Sequence, residues 1–301
     1  MQVNNLDAIA SDVPGTVLVA VGDETWSRGD LDARYPIYSL TKPVIGAAVL
    51  TLSRHGRTSL DDPAPLAWPG TIRQLLDHTS GARNYAHLPA YDEALQAQPH
   101  EAWSDEQLLD AARAAGPDFA PGEGWAYSNT GYTLLRILLD RHGGIAAFLS
   151  GLQLGGTSVA ERPEDLLQAV PALWALPGEQ PTDVRGRYDP RWVGHRTLIA
   201  TARDLLPFWR SLPDEMLDPH TFVSIGAAAP GFTDPRYGLG VMADPGSPLG
   251  TVIGHGGGGP GYAHGVFTVP ERNAVAIVLT NDQRFGAQGT ALNLLTAALN
   301  P

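Results

Sequence analysis

The chain has 301 residues, 32 of them acidic and 20 basic, for a formal net charge of −12; it has no cysteine, and Lys42 is its single lysine beside nineteen arginines. These counts exclude a disulfide framework, a CxxC redox pair, a zinc ribbon and a cysteine nucleophile. An acidic chain without a Lys/Arg cluster also lacks the footprint of a nucleic-acid binder.

The 43% hydrophobic and 17% charged content belong to a globular protein with a sizeable core. The excess of Arg over Lys reads as coding bias, which leaves the one retained lysine to be explained. The longest apolar stretch, Val44 to Leu52, is about nine residues, far short of the roughly 20 that a membrane-spanning helix needs. Met1 to Asp7 shows no basic region followed by a long apolar run, so the start reads as unprocessed and the protein as cytoplasmic.

In chain order, residues 3–12 predict a short leading helix. Gly15 to Val21 is apolar, β-branched and bounded by glycine, which predicts a strand, with a Gly22-Asp23 turn and a hairpin partner at Glu24 to Arg28. Thr41 to Arg54 places Val44, Ile45, Ala48, Val49 and Leu52 at helical spacing and stops at Gly56. Residues 57 to about 215 are mostly helical. Ser104 to Gln107 is a capping box opening one helix, Gly131 to Arg141 is another, and Thr201 to Leu212 is a third with Pro207 inside it. Residues 170–194, with Pro171, Pro177, Pro181 and Pro190, read as a long loop. Gly238 to Ala243, Tyr262 to Val269 and Asn273 to Thr280 predict strands, and Gln288 to Leu299 a closing helix. Strands at both ends around a helical middle give an α+β fold class. It has an antiparallel sheet built from the N- and C-terminal segments (1–56 and 215–301), a mostly helical domain inserted at 57–214, and a site at their interface.

Three short patterns can carry chemistry. Ser39-Leu-Thr-Lys42 puts a hydroxyl and an amine three residues apart on one helix face, at an N-terminus whose free N–H groups can hold an oxyanion. The alternative is a helix cap with a solvated lysine. With thirteen serines in the chain, chance puts one three residues before the only lysine about 4% of the time. Tyr127-Ser-Asn129 offers a phenol, lowered in pKa by a nearby ammonium, as acid and base, and an amide to position a carbonyl. Its alternative is a turn tyrosine beside a capping Asn129. His255-Gly-Gly257, inside a run of glycines between two predicted strands, would let substrate approach the backbone closely, or is a glycine turn with a surface histidine. Gly256-x-Gly258-x-x-Gly261 formally matches a dinucleotide fingerprint, but a strand follows it rather than a helix. No metal site is expected: His78, His87, His100, His195, His220 and His264 show no ligand spacing and read as surface or structural residues.

With these motifs the chain resembles the serine β-lactamase-related superfamily: class C β-lactamases, DD-peptidases, and the esterases and amidases that share their fold. Ser39-x-x-Lys42, Tyr127-x-Asn129 and His255-x-Gly257 stand in family order. Leu75-Leu-Asp-His-Thr-Ser-Gly81, Pro121-Gly122, Thr201-Ala-Arg-Asp-Leu205 and Tyr237-Gly-Leu-Gly240 are similar to family segments as well. The resemblance implies a β-lactamase/transpeptidase-like fold, with Ser39 as acylated nucleophile and Lys42 and Tyr127 as the base pair. It implies that Asn129 contacts the acyl group, and that the N–H groups of Ser39 and Gly258 form the oxyanion hole. His255 stands where penicillin-recognising members carry Lys or Arg for the substrate carboxylate. A mostly neutral histidine suits a neutral ester or amide.

The expected function is therefore a serine hydrolase of esterase or amidase type, working through an acyl-serine without cofactor on a small molecule. An acyltransferase of secondary metabolism and a β-lactamase or D-amino-acid peptidase are the enzyme alternatives, and an inactive binding module is the alternative outside enzymes. Residues 83–100 and 170–195, with Tyr85, Tyr91, Trp174, Tyr188 and Trp192, wall the pocket or anchor the core, and Arg83 and His195 are candidate pocket contacts. The sequence carries no signal for oligomeric state.

Overall fold

Gly15–Val21 (β1) is apolar along its whole length because it is covered on both faces. This is visible in the computed structural model, which describes residues 3–300. Val17 and Val19 point into one core and Leu18 into the other. The same division runs along Ala274–Thr280, all seven residues of which are buried.

β1 turns into the exposed edge strand Glu24–Arg28 (β2). Val223–Ser224 (β3), Arg236–Tyr237 (β4), Met242–Asp244 (β5), Val252–Gly259 (β6), Tyr262–Val269 (β7) and Ala274–Thr280 (β8) complete the main sheet. Its order among the described residues is β2-β1-β8-β7-β6-β5-β4-β3, antiparallel throughout. Pairing of Gly15 with Thr280 closes the N-terminal strand onto the C-terminal one, as the α+β expectation required.

Helices α1 (Val3–Ala10), α2 (Thr41–Arg54) and α4 (Ala287–Leu299) and the helix Ala202–Arg210 cover it, whereas α3 (Asn129–Asp140) packs on α2. Leu6 and Ala10 of α1 and Leu294, Leu295 and Ala298 of α4 pack on one face with Val17, Val19 and Phe267. Val44, Ile45, Ala48 and Val49 of α2 pack on the other with Leu18, Ile253 and Ile277. The capping boxes at Ser104 and Thr201 form as their sequences dictate. No helix among the described residues is long and apolar enough to cross a membrane.

Three local readings need correction. The helical middle also contributes Ser158–Ala160 and Thr197–Ala200 to a small sheet with Tyr35–Pro36. Gly238 to Ala243 is not one strand: Gly238 N–H donates to the Val241 carbonyl and Gly240 has φ +98°, which makes a tight turn between β4 and β5. His255 to Gly259 is not a connection between strands but is itself part of β6, an inner strand. Glycine has no strand propensity to reveal this. Residues 170–194 are irregular apart from the short pair Leu173–Trp174 and Thr182–Asp183.

The glycines of β6 follow from space. A Cβ at Gly257 would lie 2.4 Å from the Ile37 carbonyl oxygen, and one at Gly259 would lie 2.3 Å from the Tyr38 ring. At Gly258 nothing lies closer than 4.0 Å. Gly257→Ala should therefore lower stability by about 1–3 kcal/mol, and Gly258→Ala should leave it within about 0.5 kcal/mol. Denaturant melts of the two variants check this; equal melting would contradict it.

Candidate active site

The chain leaves Tyr35–Pro36, makes a 3-10 turn at Tyr38–Leu40 and enters α2. Ser39 sits in that turn, at the mouth of a cavity of about 480 Å³. Its neighbour Tyr38 is left-handed, with φ +46°, a conformation that costs a non-glycine residue about 1–2 kcal/mol. The surroundings over-determine it. Tyr38 N–H donates to Thr197 Oγ1 at 2.7 Å, and its hydroxyl donates to the Pro260 carbonyl at 3.0 Å. Leu198 N–H donates to Thr41 Oγ1 at 3.1 Å. Ser39 does not cap α2, whose cap position is Leu40, so the capping alternative does not hold.

One turn along, Lys42 is fully buried. Its Nζ lies 3.2 Å from Ser39 Oγ, 2.7 Å from Asn129 Oδ1 and 3.3 Å from His195 Nε2. It also stands 4.6 Å from the Tyr127 ring centre and 5.3 Å from that of Tyr132. Among the described residues no carboxylate pairs with it. Burial without a counter-ion holds its pKa well below 10.5. The solvated-lysine alternative is thereby set aside.

Asn129 opens α3, but its neighbour Ser128 does the capping, accepting from Gly131 N–H at 3.2 Å. The Asn129 amide oxygen is turned to Lys42. Tyr127 lines the same cavity as Ser39. The phenol's pKa is raised, opposite to the sequence expectation, because burial outweighs the lowering influence of the Ser39 hydroxyl. Its ring lies in an aromatic cluster around His78, with centroids 4.6 Å from His78 to Tyr127 and to Tyr237 and 5.1 Å to Tyr132. His78, left-handed at φ +65°, accepts from Ser128 N–H through Nδ1 at 3.1 Å. It thereby ties the Tyr127 loop to the Leu75–Gly81 segment.

His255 is buried, and its ring is committed on both nitrogens. Nδ1–H donates to the Gly256 carbonyl at 2.5 Å, and Nε2 accepts from the Tyr237 hydroxyl at 2.9 Å. Burial, and then the nearby Lys42, pull its pKa down to about 3, so it is neutral at pH 7. His264, also lining the cavity, donates to the Pro36 carbonyl at 2.9 Å and is lowered to about 4 by burial. None of the described residues lining this cavity is Asp, Glu, Lys or Arg. Gly256, Gly257 and Gly258 form its backbone wall, and Gln283 and Gln288 complete it from the segment leading into α4. Neither glutamine carries a sequence signal, since both lie outside the three motifs.

A hydroxyl, a phenol and a glycine strand line one cavity, and a buried amine without a carboxylate partner lies directly behind the hydroxyl. The family model for Beta-lactamase matches residues 6–300. The chain belongs to the Beta-lactamase family. It is 24% identical to a penicillin-binding protein of Bacillus subtilis over 89% of this chain and 68% of that one. It is 28% identical to esterase EstB of Burkholderia gladioli over 67% of this chain and 55% of the esterase, so it spans about half that relative's length. The structure of a D-stereospecific amidohydrolase from Streptomyces sp. superposes with a TM-score of 0.79, at 28% identity, covering 98% of this chain and 96% of that one. The β-lactamase/transpeptidase-like fold is therefore shared, and the chain is a hydrolase of the Beta-lactamase family.

Other expectations fall away from the cavity. Tyr85, Tyr91, Tyr188 and Trp192 are buried core residues, and Trp174 lines a neighbouring cavity. Arg83 binds the Gly116 carbonyl at 2.9 Å and Asp118 at 3.1 Å, on the surface. His195 is not a pocket contact; it lies behind Lys42.

The lowered pKa of Lys42 has a thermodynamic consequence. The unfolded chain binds this proton more tightly than the folded one, so the group's contribution to stability rises with pH between the depressed folded pKa and 10.5. Lys42→Met is expected to raise Tm at pH 7 while abolishing turnover, with the gain shrinking as pH approaches 10.5. Thermal melts across that range test it, and a gain that grows with pH would contradict it.

Proposed function

We propose that the protein cleaves a small, uncharged ester or amide through an acyl-Ser39 intermediate. The observation that carries this reading is the buried amine of Lys42, 3.2 Å from Ser39 Oγ with no carboxylate beside it. Such an amine can be free of its proton at neutral pH and take one from the serine.

Ser39 Oγ attacks the substrate carbonyl carbon as its proton passes to Lys42 Nζ. The oxyanion is held by the N–H groups of Ser39 and Gly258. The new ammonium faces the rings of Tyr127 and Tyr132, which favour it once charged. Collapse breaks the bond to the leaving oxygen or nitrogen. The raised pKa keeps Tyr127 protonated, so its phenol hands a proton to the leaving group and is replenished from the Lys42 side. Water then attacks the acyl-Ser39 carbonyl by the reverse path, releasing the acid and restoring Ser39.

The uncharged lining of the cavity supports a neutral substrate. His255 is neutral and tied to Tyr237 and Gly256, so it offers no cation to a substrate carboxylate. The cavity shares Gln283 with a larger one of about 540 Å³ lined by Pro171, Leu173 and Trp174. The two carboxylates there, Asp183 and Asp282, are occupied by Arg185 and Arg284. An apolar acyl or leaving group fits that extension.

A panel of p-nitrophenyl esters, D- and L-amino acid amides and nitrocefin, read against Ser39→Ala, tests the proposal. Ester or amide turnover should exceed nitrocefin turnover and fall at least about a thousandfold in Ser39→Ala and in Lys42→Arg, whose guanidinium cannot act as base. Undiminished ester turnover by Ser39→Ala would falsify the assignment.

A further inference from the structure

His195 has no place in the motifs, yet it is buried and its Nε2 lies 3.3 Å from Lys42 Nζ. Building on the acyl-serine reading, we infer that His195 is a positioning residue for the Lys42 amine, which it shares with Asn129, so that the nitrogen lone pair is left for the Ser39 hydroxyl.

The geometry of a neutral amine carries this. It has two N–H bonds and one lone pair. Asn129 Oδ1 at 2.7 Å takes one N–H bond and His195 Nε2 at 3.3 Å, in the tautomer protonated at Nδ1, takes the other, and Ser39 Oγ at 3.2 Å is the third neighbour. When the serine proton arrives, the third N–H faces the same oxygen. Both fixed acceptors are uncharged, so they orient the amine without holding a proton on it as a carboxylate would.

The loop carrying His195 is built for fixed placement. The Gly194 carbonyl accepts from Arg136 Nε and Arg196 Nη1, both at 3.2 Å, and Gly194 N–H donates to the Tyr85 hydroxyl at 2.8 Å. A Cβ at Gly194 would stand 2.5 Å from Thr133 Oγ1. Arg196 is left-handed at φ +70°. The charges near this loop are paired among themselves: Asp105 with Arg136 at 2.5 Å and with Arg196 at 3.4 Å, Asp140 with Arg136, and Glu161 with Arg196 at 3.1 Å. The groups facing Lys42 and His195 are otherwise His78, His255, Tyr127, Tyr132 and Ser39, all neutral at pH 7. Burial above all, with the Arg136 and Arg196 charges, keeps His195 itself neutral.

The test is the pH profile of kcat and kcat/KM for a p-nitrophenyl ester in three variants. His195→Leu, with no acceptor, is expected to lose about a hundredfold in kcat with KM little changed. His195→Gln, which reaches the same point with an uncharged amide, should recover most of that loss and keep the acid limb in place. His195→Glu sets an anion beside the amine and should move the acid limb up by at least about one pH unit. Wild-type kcat in His195→Leu, or equal losses in His195→Leu and His195→Gln, overturns the role. If His195→Glu does not fold, the other two variants still decide it. A fluorophosphonate probe separates the two layers of the argument. Absence of Ser39 labelling in the wild type overturns the hydrolase reading, whereas a labelled Ser39 with wild-type kcat in His195→Leu overturns the role of His195.

Discussion

A single cation is buried here without an anion. Lys42 is enclosed by the Ser39 turn, the N-terminus of α3, two tyrosine rings and the Gly194–Arg196 loop, and every acceptor it meets is neutral. Taking an ammonium out of water without a paired charge costs several kcal/mol, and the group relieves that by giving up its proton. The nearby carboxylates Asp105, Asp140 and Glu161 are taken up by Arg136 and Arg196. The proposed base is thus shaped by what is kept away from it as much as by what touches it.

The second constraint is closeness. β6 runs past the Ser39 turn at a distance that no side chain at Gly257 or Gly259 would allow. The turn is in turn pressed from the far side by Thr197–Ala200, through Thr197 Oγ1 and Thr41 Oγ1. Tyr38 accepts a left-handed backbone between these two walls. Strain of this kind persists only where packing on several sides holds it, and it recurs at His78 and Arg196, beside the two imidazoles packed around the reactive groups. His264 adds a staple, joining β7 to Pro36 just before the turn.

Local patterns made much of this legible. Ser39 and Lys42 share one turn of chain, and the helix that carries them is apolar at helical spacing, so their meeting needs no knowledge of the fold. The apolar runs Gly15 to Val21 and Asn273 to Thr280 announced strands from each end of the chain. What the residues could not announce depends on distant segments meeting. β6 escaped because glycine leaves no strand signature, and the strand is visible only through its pairing with β7 and β5. His195 is 153 positions from Lys42, and nothing in its neighbours signals that contact. The Tyr127 phenol was expected to be lowered by an ammonium. Burial raises it instead, and burial is a property of the folded site alone. Aromatic residues such as Tyr91 and Trp192 look the same in a pocket wall as in a core, and the fold puts them in the core.

Because the chain has one lysine, that residue can be watched alone. Incorporation of ¹⁵N-labelled lysine gives a single Nζ resonance in the folded protein, and its shift followed against pH measures the ionisation of the proposed base directly. The account predicts a midpoint well below the ordinary 10.5 of a lysine, in the folded state only, with the ordinary value returning in denaturant. A folded-state midpoint at or above 10.5 would contradict it, since Lys42 would then carry a proton at every pH where the enzyme works.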